Sequence, residues 1–318
     1  MNNSRANPAK CKFKVAAFYA FSDLEDTVLD TLISRIYKNK KSLLGTILLG
    51  SEGLNGTVSG PESDVDGIIQ ILSSVIKTGR LELKISWVNK QAFRKFKARR
   101  KNEIVTMGVE SINVKEDVGH YVEPIDWNDY LNDQETLIID TRNEYEVGIG
   151  TFKNSVNPHT SNFREFPSWV DKKLPKIIKE RKSKRIAMFC TGGIRCEKAT
   201  SYLCKKGFED VHHLHGGILS YLEQVPEKES LWEGECFVFD QRVSLNHSLE
   251  PGDHRLCFAC GMPLDSKERA HRYYVKGVQC LYCKDTFTDD DRKRFIERQK
   301  HYDNLEKQLS KNQIKDEL

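Results

Sequence analysis

Residues 185–200, RIAMFCTGGIRCEKAT, constrain this chain more than any other stretch. Ile186 to Phe189 are apolar and read as a buried strand. Cys190 ends that strand, Gly192 and Gly193 allow a tight turn, and a helix starts at Arg195. Such a strand–loop–helix aims the backbone N–H groups of residues 191–195 at one point above the first helical turn, a place that binds anions and stabilises a thiolate. A cysteine there has its ordinary pKa of about 8.5 pulled to roughly 7 or lower by the helix N-terminus and a nearby guanidinium. A free cysteine usually serves as a small core residue. Ending a strand, however, requires neither a Gly-Gly pair nor an arginine five residues on. The pattern points to Cys190 as a nucleophile, with Thr191, Gly192, Gly193, Ile194 and Arg195 forming the loop that stabilises its anion.

Loop length narrows the chemistry. Four residues, Thr191 to Ile194, separate Cys190 from Arg195, one fewer than in the phosphatase pattern. The six-residue loop resembles that of the rhodanese family, and a ring so small fits a persulfide or small oxyanion better than a phosphate.

A chain of 318 residues has room for two or three domains. A net charge of +4 on a 30% charged composition does not by itself indicate nucleic acid. No apolar run approaches a membrane span. Lys12 and Lys14 interrupt the first apolar run, so the N-terminus reads as the approach to a strand and not as a signal peptide. Lys315–Leu318 match an endoplasmic-reticulum retention signal, which without an entry signal is a coincidence of a charged tail. Nine cysteines, four of them in two CxxC pairs, argue for metal and thiol chemistry in a reducing cytoplasm, not a disulfide framework.

In order, residues 12–21 read as a strand, 24–39 as a helix capped by Ser22 or Asp23, 43–49 as a buried strand, and 51–56 as a turn into a strand at 57–59. Pro61 opens a second helix to about Lys77, and 81–88 alternates as a half-exposed strand. The order β-α-β-β-α-β predicts a ferredoxin-like domain. Seven of the twelve residues in Lys90–Lys101 are Lys or Arg, with Phe93 and Phe96 interleaved, a composition that suits phosphates and unpaired bases but also a solvated linker. Glu103–Met107 reads as a short strand. A second domain follows from about Pro124, with a helix at 127–131, a strand at 137–140, a short helix from Pro175 to Lys182, the Cys190 loop and its helix to Gly207, a strand at 211–214, and a helix from His215 to about Gln224. Alternating β and α elements predict a parallel sheet with the loop at its C-terminal edge. Asp140, Thr141, Arg142 and Glu146 resemble the rhodanese pattern in which an Asp and an Arg brace the sheet. His212, His213 and His215 alternate between faces and do not form a metal site; Cys196 is close enough to Cys190 to be a resolving thiol, but helix packing is the favoured reading of it. Cys257-Phe-Ala-Cys260 and Cys280-Leu-Tyr-Cys283 have the spacing of a four-cysteine zinc site. Four thiolates leave no open coordination position, so such a metal is structural. Residues 289–309 read as a charged helix with sparse apolar points at Phe295, Leu305 and Leu309.

Taken together, GSEGLNGTVSG (50–60), CTGGIRCEKAT (190–200), LHGGILSYL (214–222) and WEGECFVFDQRV (232–243) resemble the rhodanese-domain tRNA uridine hydroxylases. The resemblance implies a ferredoxin-like domain (1–115, with the basic segment), a rhodanese domain (116–228) and a cysteine-rich, zinc-binding C-terminal region (229–318). It implies oxygen-dependent 5-hydroxylation of the wobble uridine, position 34, with molecular oxygen as co-substrate and the anticodon loop of tRNA as partner. The family's essential cysteine falls on Cys190, and Lys97, Arg99 and Arg100 become the expected phosphate contacts. No fingerprint of an organic cofactor is visible. A sulfurtransferase carrying a persulfide on Cys190, serving tRNA thiolation, is the alternative reading, and a non-enzymatic RNA-binding module the third. The metal's identity and the oligomeric state are not legible in the sequence.

Overall fold

The computed structural model describes residues 11–316 apart from Thr78 and Ser111, with side chains as far as Leu305. The side chains of Leu309 and Lys315–Leu318 lie outside the described residues. The chain divides into two units, 1–251 and 252–318.

In the first unit, β1 (Phe13–Phe21), α1 (Asp26–Asn39), β2 (Leu44–Gly50), β3 (Gly53–Gly60), α2 (Glu62–Ser73) and β4 (Glu82–Val88) follow the expected order, and β5 (Phe96–Arg100) extends the sheet. The strand order is β4-β1-β3-β2-β5, antiparallel except for β5, which runs parallel to β2. Period-two alternation divides each strand between two faces. Ala16, Phe18, Ala20, Ile47, Leu49, Leu54 and Val58 pack against Leu29, Leu32 and Ile36 of α1 and Val65, Ile68 and Leu72 of α2. α1 starts at Asp26 with Glu25 as its N-cap, which makes no side-chain cap bond, so neither Ser22 nor Asp23 caps it. Ser22 is instead buried, its hydroxyl accepting from the Lys77 N–H at 3.2 Å.

The second layer comprises β6 (His120–Val122), α3 (Trp127–Asn132), β7 (Thr136–Asp140), α4 (Glu144–Val147), β8 (Gly150–Phe152), α5 (Phe166–Arg181), β9 (Arg185–Phe189), α6 (Ile194–Lys205), β10 (Val211–Leu214) and α7 (Gly217–Gln224). Its four-stranded sheet, ordered β6-β10-β9-β7, is parallel throughout. Helices cover both faces, which explains why β7 is buried at every position. Leu137, Ile139 and Met188 pack with Val170, Leu174 and Leu203, while Ile138 and Phe189 pack with Trp127, Tyr221 and Trp232 on the other side.

Three further expectations fail here. Residues 53–56, read as part of a turn, already belong to β3. The helix through Pro175 begins at Phe166, with Pro167 in its first turn and Pro175 inside it. Phe166, Trp169, Val170 and Leu174 form one buried stripe, and this packing outweighs the single backbone bond that an internal proline removes. Glu103–Met107 is not a strand. It crosses between the two sheets: the Ile104 N–H donates to Glu52 at 2.6 Å, and the Ile104 carbonyl accepts from Asn55 at 2.9 Å.

β11 (Trp232–Gly234) pairs antiparallel with β8, and β12 (Cys236–Phe237) with β13 (Ser244–Leu245), tying residues 232–245 to this unit. The polar side of β4 faces the parallel-sheet domain and not solvent. Lys84 pairs with Glu223 at 3.1 Å, and Arg242 donates to the Ser86 hydroxyl at 2.8 Å. Buried Lys198 of α6 pairs with Glu52 and Glu103, both at 2.8 Å.

In the second unit, β14 (Arg255–Leu256) pairs with β15 (Pro263–Leu264), followed by α8 (Ser266–Arg269) and α9 (Asp289–Asp316). Its buried core is Cys257, Leu264, Cys280 and Cys283. Among the described residues, no helix is long and apolar enough to cross a membrane.

Candidate active site

Cys190 follows directly on β9, the second strand from the β7 edge of the parallel sheet. Its carbonyl accepts from the Ile218 N–H at 2.9 Å, and that of Thr191 from Leu219 at 3.1 Å, so α7 pins the loop from behind. Gly217 permits this approach: at φ +64°, a Cβ there would lie 2.4 Å from the Cys190 carbonyl oxygen. Gly193 makes the turn at φ +104°, and its N–H donates to the Cys190 sulfur at 3.1 Å. Gly192 has no positive φ, and a Cβ there would meet nothing within 4 Å. Of the glycine pair, only Gly193 is required by the turn.

Burial pushes the Cys190 thiol up. The Cys196 thiol, the Arg195 guanidinium, and the N–H groups of Cys196 and Gly193 outweigh burial and bring it down to about 5. Cys196 moves the other way, held well above its ordinary value by burial first and then by Cys190. Its sulfur also lies 3.5 Å from the Thr141 hydroxyl. The pair therefore holds one thiolate, on Cys190, and one thiol, on Cys196.

Arg195 does not reach into the site as a free guanidinium. Glu146 takes two of its nitrogens, at 2.7 and 2.6 Å, and the pair is buried. The Thr191 hydroxyl lies 3.3 Å from the same guanidinium. Asp140 pairs with the fully buried Arg142 at 2.6 Å, and Arg142 also donates to the Glu146 carbonyl at 3.2 Å. This chain fixes the positive charge beneath the loop, where it acts on Cys190 through space.

A cavity of about 530 Å³ opens over the thiolate. Thr191, Gly192, Ile194 and Arg195 form its floor, the open face of the first sheet (Tyr19, Thr46, Leu48, Asn55, Thr57) forms one wall, and Phe163, Phe239 and Arg242 form the other. Lys97 and Arg99 stand in register with Thr46 and Leu48, so they project from this same face, and both are exposed. Arg100 points the opposite way, to α1, where it pairs with Asp26 and Asp30.

Cys257, Cys260, Cys280 and Cys283 bring their sulfurs within 4.8 Å of one another, with individual separations of 3.7 to 3.9 Å. Four thiolates at tetrahedral Zn–S bonds of about 2.3 Å stand about 3.8 Å apart. The donor set thus fits a four-coordinate, thiolate-bound metal ion.

Residues 13–104 match the family described as UPF0176 acylphosphatase like domain, and residues 124–224 the rhodanese-like domain. The chain is 53% identical to a tRNA uridine(34) hydroxylase of Prochlorococcus marinus, over 99% of this chain and 98% of that protein. It belongs to the tRNA uridine(34) hydroxylase family. The protein of the same name from Parasynechococcus marenigrum (strain WH8102) is 55% identical over 93% of this chain and 95% of its own length. The one from Synechococcus sp. (strain CC9605) is 53% identical over 99% and 98%.

For this tRNA uridine(34) hydroxylase family member, the loop and the Asp140–Arg142 brace with Glu146 are legible in the sequence, and the other surroundings of the loop are not. Glu146 carried no sign that it would clamp Arg195. Tyr19 lies in an ordinary-looking strand 178 residues from Glu197, to which its hydroxyl donates at 2.7 Å. Phe239, 59% exposed at the cavity, was one aromatic in an apolar run.

Proposed function

We propose that this chain hydroxylates C5 of the wobble uridine of tRNA to give 5-hydroxyuridine, with Cys190 as nucleophile. The observation that carries this reading is a Cys190 held as a thiolate at the floor of a cavity of about 530 Å³, roomy enough for a flipped-out nucleotide, in a chain 53% identical over 99% of its length to a protein of that name. The thiolate adds to C6 of the uracil, which makes C5 electron-rich and places negative charge on O4. The loop amides and the fixed charge of Arg195 offset that charge. C5 takes up an oxygen atom derived from molecular oxygen; the second oxygen atom leaves as water, taking two electrons and two protons from an added two-electron reductant. Loss of the C5 proton and expulsion of the Cys190 thiolate then release the hydroxylated base.

An anticodon loop presents unpaired bases that can be turned out into such a cavity. The exposed ring of Phe239 offers a face for stacking, and Lys97 and Arg99 lie on the cavity's side of the sheet to meet the flanking phosphates. Arg100, engaged by α1, contributes less. Zinc is the metal that suits the four-cysteine cluster, where it would fix residues 257–283 and perform no chemistry. The protein works where tRNA is, in the cytoplasm.

The test is mass spectrometry of nucleosides from tRNA incubated in air with the protein and a reductant, wild type beside Cys190→Ser. A gain of one oxygen on uridine 34 with wild type alone is the expected result. Normal hydroxylation by Cys190→Ser would sink the role of Cys190, and a gain of sulfur would replace this reading with the sulfurtransferase.

A further inference from the structure

Glu197, on the first turns of α6, is a buried carboxylate of which the chemistry above makes no use. It is 6% exposed, and among the described residues no Lys, Arg or His forms an ion pair with it. The Tyr19 hydroxyl donates to it at 2.7 Å, and the phenol of Tyr121 lies beside it. A carboxylate buried without a cation is costly. Burial first, then the charges of Glu82 and Cys190, outweigh the two phenols and raise Glu197 to about 7. If the only task here were to fasten the two sheets together, a glutamine would do it without that cost.

The two phenols lead in different directions. Tyr19 is buried and lines the cavity that holds Cys190, whereas Tyr121 is 47% exposed. Tyr19 also abuts the loop: a Cβ on Gly193 would lie 2.8 Å from its hydroxyl oxygen, and the N–H of that glycine donates to the Cys190 sulfur at 3.1 Å. The chain Tyr19–Glu197–Tyr121 thus runs from beside the reacting sulfur to the surface. Burial holds both phenols above their ordinary range, so each stays neutral and passes a proton on only by giving one as it takes another. The other groups facing this chain are Glu82, which carries Arg80 at 2.6 Å and His215 at 3.7 Å, and the rings of His213 and His215, 4.3 and 5.3 Å from that of Tyr121.

Resting on the hydroxylase reading, we propose that Tyr19, Glu197 and Tyr121 form a proton relay that takes up the proton leaving C5 of the uracil and delivers it to solvent. In that step the C5–H bond breaks and its electron pair forms the C5–C6 double bond. The C6–S bond breaks, and sulfur leaves with its pair as the Cys190 thiolate. The proton goes to the Tyr19 oxygen as the proton of Tyr19 passes to Glu197, which later gives it up through Tyr121. The relay makes the first domain part of the chemical site as well as a surface for RNA.

The test uses the full chain with tRNA in air, comparing wild type, Tyr19→Phe and Glu197→Gln from about pH 5 to about pH 9. Tyr19→Phe should lower kcat about 100-fold with KM for tRNA within about twofold, while Cys190 alkylates at the wild-type rate, which marks an intact loop. The wild-type kcat should rise through a limb near pH 7 that Glu197→Gln lacks. Infrared spectra of the protein alone should show a protonated carboxyl stretch that titrates near pH 7 and is absent from Glu197→Gln. The relay is overturned if Tyr19→Phe keeps kcat within about threefold, or if Glu197→Gln keeps both the wild-type kcat and the wild-type pH profile. A wild-type protein that makes no 5-hydroxyuridine overturns the function reading, and the relay with it.

Discussion

A thiol in water is a few per cent ionised at neutral pH, and Cys190 escapes that limit because the Gly193 N–H donates to its sulfur while neighbouring Cys196 and the fixed Arg195 guanidinium favour the anion. Since the folded value lies near 5, below the ordinary one, the thiolate persists as pH falls from 8 and is lost only on passing through about 5. Alkylation of Cys190 by iodoacetamide, followed by peptide mass spectrometry, should be nearly flat from about pH 8 to 6 and fall about tenfold per pH unit below about 5. A rate that climbs steadily to pH 9 would place the proton on Cys190 instead. The glycine pair makes a second residue-scale contrast. Gly193→Ala must hold φ +104° with its Cβ against Tyr19, and should cost roughly 1–3 kcal/mol in denaturant melts. Gly192→Ala points a methyl into open space and should melt within about 0.5 kcal/mol of wild type.

Among the elements, β5 shows how a strand sorts charges that composition treats alike. Pairing with β2 puts Lys97 and Arg99 over the cavity face and Arg100 over α1. Replacing Lys97 and Arg99 with Ala should weaken tRNA binding about tenfold and lower the salt slope of log K by about 2. Arg100→Ala should change binding less than about twofold in the same filter assay. No loss from any of the three would put the RNA elsewhere. The alternation of β4 was readable in the sequence, but the side that would be wet was not. Glu82, Lys84 and Ser86 face a second domain, and Leu83 and Ile85 are the partly exposed ones.

At the scale of the whole molecule, the two units rest on different physics. The unit 1–251 has three large apolar clusters, whereas the described residues of 252–318 bury little besides Cys257, Cys280, Cys283 and Leu264. A core that small does not hold a fold without a staple, and a thiolate-bound zinc supplies about 10–16 kcal/mol. A strong chelator should therefore unfold residues 252–283 and leave the melting of the 13–251 body in place, as read by hydrogen exchange. Full protection at the cysteine knuckles after metal removal would contradict a structural metal.

The sequence by itself determined whatever depends on neighbours along the chain: the strand–Cys–loop–helix at 186–205, the β-α-β-β-α-β order, the parallel βα alternation, and the two CxxC knuckles. Each follows from local geometry, periodicity or ligand spacing over a few residues. Only the tertiary structure decided the rest. Glu146 takes Arg195 from 49 residues away, Glu52 and Glu103 take Lys198 from a different domain, and Trp169 and Leu174 carry a helix through Pro175 because the sheet beneath rewards that stripe. Tyr19 and Glu197 meet across 178 residues, and no local pattern announces them. A buried charge takes its meaning from what desolvates it and what answers it, and both are set by chain segments that come together only on folding.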